Sequence, residues 1–251
     1  MKQKLTDAMN IGEEMLASGA EIHRVEDSMN RMLTALGASR VDTFIITSSM
    51  VVTVHTPDGD IFTETRRISG GGTDFERLHI LNSLSRRICA GEVSAEEIDR
   101  ELEHVRSAKK YPLYVEFICY ALIAGAFTLF FGGNALQALF SLAVGATVRF
   151  VLLVVDMTVK NKIFGKFVGS FTATALAILS AFVLGMPDGA DEIIIGNIMS
   201  LIPGIGLTNA LRDIFTGDSI TGILRAIEAL LYALAIAAGY FAFMALIGGV
   251  V

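Results

Sequence analysis

Apolar positions follow one rhythm in the first part of the chain and another in the second, and the change falls near residue 110. In the first part apolar residues recur three or four apart, with charge between them. Leu5, Met9, Gly12 and Leu16 predict a helix over 4–17. Ser18-Gly-Ala-Glu21 reads as a capping box that opens a second helix to residue 36, with Ile22, Val25, Met29, Met32, Leu33 and Leu36 inward. Its other side carries Glu21, Arg24, Asp27 and Arg31, which suit either a solvated face with internal ion pairs or a contact surface for the membrane part or a ligand. From 40 to 67 the residues turn β-branched, predicting strands over 41–47, 50–55 and 61–67, with Pro57-Asp-Gly59 as the turn between the last two. Thr73-Asp-Phe-Glu76 and Ser94-Ala-Glu-Glu97 read as further capping boxes, each opening a helix. The first of these helices runs to residue 90 and buries Phe75, Leu78, Leu81, Leu84 and Ile88; the second turns Ile98, Leu102 and Val105 inward. The expectation is an α+β head in the order ααβββαα over 1–110.

The second part holds unbroken apolar runs. Segments 113–131, 135–155, 164–184, 193–211 and 223–247 each suit a bilayer core of about 30 Å, predicting an all-α membrane domain of five transmembrane helices over 111–251. Lys109 and Lys110, then Lys160, Lys162 and Lys166, then Arg212 and Arg225 mark alternate ends of these segments, while Gly132-Gly-Asn134 and the turn over 186–192 carry no Lys or Arg. That alternation predicts a cytoplasmic head and an outer C-terminus in a multi-pass protein of the cell membrane. Small residues at Gly125-Ala126, Gly145-Ala146, Gly165 and Gly169 allow close helix contact.

One of these segments is interrupted. Pro203, Gly204 and Gly206 fall within about one helical turn, Thr208 and Asn209 follow, and Arg212 and Asp213 come a turn later. Proline removes a backbone donor and glycine disfavours helix, so a broken or kinked helix is expected. Inside lipid a freed backbone group survives only against protein or a water-filled cavity, which makes this stretch the leading candidate for the working site. Other charges lie within or at the edges of the apolar runs. Glu116 in the first turn of its segment can reach the interface. Arg149 and Asp156 are seven apart and share a helix face; Arg149, the deeper, must face a partner carboxylate or a watery path. Asp156 suits a proton carrier or an interfacial residue, and Arg225 with Glu228 suits a local ion pair.

Composition sharpens the division. Of 251 residues 53% are hydrophobic and mean hydropathy is +0.57, yet the first 110 residues hold 14 of the 20 Lys and Arg, 18 of the 26 Asp and Glu and all 4 His. A net charge of −6 with no basic stripe gives no reason to expect nucleic acid. Cys89 and Cys119 offer no disulfide or metal spacing, and the pair His23 and Glu26 has no second cluster to complete a metal site. Ser69-Gly-Gly-Gly72 suits a flexible connection or an anion cradle without a phosphate-loop lysine. No Gly-x-Ser-x-Gly surrounds any serine, and Asp7, Glu13 and Glu14 leave no apolar core for a signal peptide. Neither enzyme chemistry nor a cofactor or metal is expected.

Gly19-Ala-Glu-Ile-His-Arg-Val-Glu-Asp27, the 63–67 strand, and above all Ile202-Pro-Gly-Ile-Gly-Leu-Thr-Asn-Ala-Leu-Arg-Asp213 with Gly217-Asp218 resemble the threonine/serine exporter family (ThrE-type). The resemblance covers nearly the whole chain. It implies a cytoplasmic N-terminal domain followed by membrane helices, and it is to the longer subunit of the family's split two-protein form, which works with a short membrane partner. Split pairs of this family are associated with succinate export. The odd number of helices also suggests half of an assembly, completed by that partner or by self-association.

The exporter reading is a proton-driven secondary transporter of threonine, serine or a related carboxylate. The broken helix, through Pro203, Gly204 and Gly206, presents backbone donors with Thr208 and Asn209 to the solute; Arg212 offers a fork for its carboxylate, and Asp213 orients Arg212. Asp156 or Glu228 carries the coupled proton, with Arg149 in the same set. The alternative from another class is a membrane-anchored sensor or scaffold whose head binds a ligand or protein; a membrane hydrolase is a weaker third, because no nucleophile–base pair is legible.

Overall fold

The computed structural model describes residues 1–68, 71–107, 111–186 and 189–248. It forms two compact units, Met1–Lys109 with Leu207–Ala226, and Lys110–Gly206 with Ile227–Val251. The stretch 207–226 groups with the first 109 residues.

In the first unit α1 (Lys2–Ala17) and α2 (Ile22–Ala35) cover one face of a three-stranded antiparallel sheet, β1 (Arg40–Ile46), β2 (Ser49–His55) and β3 (Ile61–Arg67), in the order β1-β2-β3. Alternation decides which side is buried: Met50, Val52 and Val54 of the central strand are fully covered, while Thr53 pairs with Thr63 on the open face. The layers meet closely at Gly12, where a Cβ would sit 2.8 Å from Met29 Sδ and 3.2 Å from Met50 Cε. α3 (Phe75–Cys89) and α4 (Ile98–Ser107) complete the core through Leu81, Leu84, Ile98 and Leu102.

Two of the three expected capping boxes are different in the structure. Ser18 ends α1, its amide donating to the carbonyl of Glu14, and the chain then turns through Gly19 at φ +91°. Glu21 is the N-cap of α2, so Ser18 caps no helix start, and its buried Oγ has no hydrogen-bond partner. The α3 cap is Asp74, whose carboxylate accepts from the Arg77 amide at 2.9 Å, where Thr73 was expected. Ser94 and Glu97 do form the reciprocal box, around a 3₁₀ turn over Ala95–Glu97 that runs into α4. Ser69, Gly70, Lys109, Lys110, Pro187 and Asp188, which the sequence reading used, lie outside the described residues.

In the remaining helices, α5 (Leu113–Phe130), α6 (Ala135–Thr158), α7 (Lys162–Val183) and α10 (Ser219–Gly248) are long and apolar enough to cross a membrane, four such helices among the described residues. Asn134 caps α6 and Asn161 caps α7, each accepting from two amides of the first turn. The segment expected over 193–211 is instead two short helices, α8 (Ala190–Ile198) and α9 (Gly204–Thr216), with residues 199–203 between them. The interruption is wider than a kink because Pro203 brings no N–H, and the amides of Ser200 and Leu201 close three-residue turns onto Asn197 and Ile198. α5 and α6 pack backbone against backbone: a Cβ on Gly145 would lie 2.7 Å from both Ala124 Cβ and the Tyr120 carbonyl.

Candidate functional site

The seven residues singled out around the interruption lie in sequence along one helix and its approach. Pro203 stands just before α9, Gly204 opens it and Gly206 is in its first turn. Neither glycine answers crowding, since a Cβ on Gly204 meets nothing within 4 Å and one on Gly206 meets only Pro203 Cβ at 3.9 Å. Thr208 is exposed and Asn209 half-buried one turn on.

Arg212 and Asp213 take separate partners. Neighbouring helix residues point about 100° apart, so the expected orienting contact between them does not form. Arg212 pairs with Glu21 at the start of α2. Asp213 is 1% exposed, and its carboxylate receives Arg225 Nη1 at 2.8 Å; Arg225 Nη2 donates to the Ala20 carbonyl at 3.2 Å. Arg225 is thus taken from the expected local pair with Glu228, which instead accepts the Tyr232 hydroxyl. Burial raises the Asp213 carboxyl above its ordinary value, against the pull of Arg225.

The turn between α9 and α10 is tight. Gly217 sits at φ +100°, and a Cβ on Gly222 would lie 2.5 Å from the Ile214 side chain and 2.8 Å from the Ala210 carbonyl. Asp218, on that turn, keeps one buried carboxylate oxygen without a partner. Its charge adds to burial in raising Glu26, although Glu26 also accepts the Ile45 amide at 3.0 Å. The charged stripe of α2 is therefore divided: Asp27 and Arg31 pair in solvent, whereas Glu21 engages α9.

The three expected proton-coupling residues are not brought together by any hydrogen bond or ion pair among the described residues. Arg149 finds its carboxylate on the neighbouring helix: Nε and Nη2 both donate to Glu116 Oε2, the first at 2.8 Å, with the Tyr120 ring 5.7 Å away. Asp156 is exposed near the end of α6, and Glu228 is exposed on α10. Among the described residues no group of three or more His, Cys, Asp and Glu is placed to hold a metal.

A buried polar cluster lies where α5, α6 and α8 meet. Thr128, Ser141 and Asn197 are buried together and hydrogen-bonded, Thr128 Oγ1 to Ser141 Oγ at 2.7 Å and Asn197 Nδ2 to Ser141 Oγ at 2.9 Å. Their signal in the sequence is one small polar residue on each of three helices, which hydropathy averages away.

The family described as "Putative threonine/serine exporter" (ThrE) matches residues 7–247. The chain is 25% identical over 245 residues to a "Threonine/serine exporter" of Corynebacterium glutamicum, covering 92% of this chain and 49% of that protein. It is 24% identical over 220 residues to a "Probable succinate transporter subunit YjjP" of Klebsiella aerogenes, covering 84% and 81%, and 22% identical over 231 residues to the YjjP of Escherichia coli K12, covering 90% and 87%. It thus spans about half of the Corynebacterium protein and most of each YjjP subunit. No solved structure matches it. With a family match over nearly its whole length and four helices suited to a bilayer, the chain belongs to the threonine/serine exporter family of membrane transport proteins.

Proposed function

We propose that this chain is a secondary exporter of a small amino acid, threonine or serine, or of a related carboxylate such as succinate, driven by the proton gradient. The observation that carries the reading is the interruption at 199–203, which leaves two helices of 9 and 13 residues in an apolar stretch of a transporter-family chain. Discontinuous helices are where secondary transporters gather backbone groups around a solute, because only a protein-lined or watery cavity tolerates irregular backbone at membrane depth. In this reading residues 193–211 make a fifth crossing, which returns the chain to the side it started from before α10 leaves again. The ααβββαα head of residues 1–110 is then cytoplasmic and the C-terminus outside, in the cell membrane, as the alternation of basic loops requires.

Pro203, Gly204 and Gly206 set the backbone of the solute site, and Thr208, Asn209, Arg212 and Asp213 follow along α9. Arg212 releases Glu21 to take the solute carboxylate, a like-for-like exchange of partners. Asp156, Glu228 and Arg149 are the proposed proton-coupling set. Two relatives are named as transporter subunits, which supports a short membrane partner for this chain. The test is efflux of threonine, serine and succinate from loaded proteoliposomes under an imposed pH gradient, with the chain alone and with its partner. Flux of one solute that collapses with the gradient is expected; no flux of any solute in either preparation sinks the reading.

A further inference from the structure

Thr128 on α5, Ser141 on α6 and Asn197 on α8 are 0, 0 and 1% exposed, and their hydrogens can be counted. The Asn197 amide has two, one donated to Ser141 Oγ and one to the Ile193 carbonyl, both at 2.9 Å. Thr128 has a single hydrogen and two acceptors in range, the Ala124 carbonyl at 2.9 Å and Ser141 Oγ at 2.7 Å. Ser141 Oγ accepts from both Thr128 and Asn197. Both hydrogens of the Asn197 amide are then spent, and one of its atoms is left over. Asn197 Oδ1 is buried and has no hydrogen-bond partner.

An acceptor stranded away from water is costly, so it calls for a donor or a positive charge. A carboxylate brought to Asn197 would meet its oxygen, with both amide hydrogens already given to Ser141 and Ile193. The position adds to the preference, because Asn197 is the penultimate residue of α8, at the negative end of that helix's dipole and immediately before the interruption. Packing holds it there: a Cβ on Gly196 would lie 2.3 Å from Thr128 Oγ1 and 2.8 Å from the Ala124 carbonyl. Neutral oxygens beside the C-terminal end of a half-helix are the setting in which broken transporter helices coordinate small cations.

We propose that Asn197 Oδ1, with the oxygens of Ser141 and Thr128, binds a small monovalent cation, supplied either as an alkali ion such as sodium or as the ammonium group of the solute. This rests on the exporter reading and adds to it the sign of the charge taken up beside the interruption. A bound alkali ion would be a coupling ion additional to the proton; a bound ammonium would orient an amino acid with its carboxylate turned away.

The experiment is equilibrium binding of radiolabelled sodium, and separately of radiolabelled threonine in sodium-free buffer, to the detergent-purified full chain. Saturable binding of at least one is expected, weakened about tenfold or more in Asn197→Leu. Asn197→Asp keeps the oxygen and adds a negative charge, so it binds the cation at least as tightly as the parent; it serves as the decisive variant if the leucine protein fails to fold. Sodium bound without threonine identifies the inorganic source. Threonine bound without sodium, and not displaced by N-acetylthreonine, identifies the ammonium. Binding of neither ligand, equal binding in all three proteins, or loss of binding in a well-folded Asn197→Asp protein overturns the proposal. Cation binding without export of any solute would count against the exporter reading alone, and export without Asn197-dependent binding against this inference alone.

Discussion

Arg225 reaches Asp213 across the α9–α10 turn at 2.8 Å while its second nitrogen donates to the Ala20 carbonyl at 3.2 Å, so one guanidinium ties two helices to the α1–α2 connection. Removing it strands a carboxylate that is 1% exposed. Arg225→Met should cost about 3–5 kcal/mol, and Asp213→Asn added to it should recover much of that loss, because the uncompensated charge is gone. The pH dependence has a definite sign. With its pKa raised by burial, Asp213 holds its proton to higher pH in the folded chain than in the unfolded one, so its contribution falls as pH climbs from the ordinary carboxylate range through the raised value. Without Arg225 the rise is larger, so the deficit of Arg225→Met should be smallest in acid and grow toward neutrality. Thermal unfolding across that range checks it, and a pH-independent deficit contradicts it.

Glu26 gives a milder version of the same test. Burial and Asp218 raise its carboxyl, while the Ile45 amide needs only an acceptor. Glu26→Gln keeps the acceptor and removes the charge, so the variant should gain stability relative to the parent as pH rises through the carboxylate range. Parallel pH profiles for the two proteins would show that the charge at Glu26 has no effect on folding.

Export separates the two roles open to Arg212. If it carries the solute carboxylate, Arg212→Ala abolishes flux in proteoliposomes while Glu21→Gln, which only frees the guanidinium, preserves it. Equal loss in both would return Arg212 to an anchoring ion pair.

Glycines on the two sides of the interruption should behave in opposite ways. Gly196→Ala drives a methyl to 2.3 Å from Thr128 Oγ1, so α8 must move off α5 at a cost of about 1–3 kcal/mol in thermal unfolding. Gly204→Ala meets open space and should leave stability within about 1 kcal/mol of the parent or improve it. A destabilised Gly204→Ala beside an unaffected Gly196→Ala would invert the packing account.

Arg149 should be the one member of the coupling set whose loss lowers stability. Its guanidinium is paired with Glu116, whose side chain is 40% exposed, so Arg149→Met frees a carboxylate that water reaches and should cost about 1–2 kcal/mol. Asp156→Asn and Glu228→Gln, both on exposed positions, should fold normally and change only the dependence of flux on the pH gradient. Insertion and unfolding measurements on the three proteins decide this.

The sequence by itself determined the small sheet, the four helices long enough to cross a bilayer and the place of the interruption, because those follow from periods of two and 3.6, from runs of about twenty apolar residues, and from what proline and glycine do to the backbone next to them. It also required a partner for Arg149, since a lone charge in lipid is costly. Which partner was beyond its reach: Glu116 on α5 was chosen over Asp156, which shares a helix face with Arg149, because side-chain contacts depend on how helices pack. For the same reason Arg225 left Glu228 for Asp213, and Arg212 left its neighbour for Glu21 on α2, 191 positions away. The unpaired Asn197 oxygen was the least legible feature. One amide in an apolar run looks like any other, and only the tertiary structure, by spending both of its hydrogens and burying its oxygen, shows that a partner is missing.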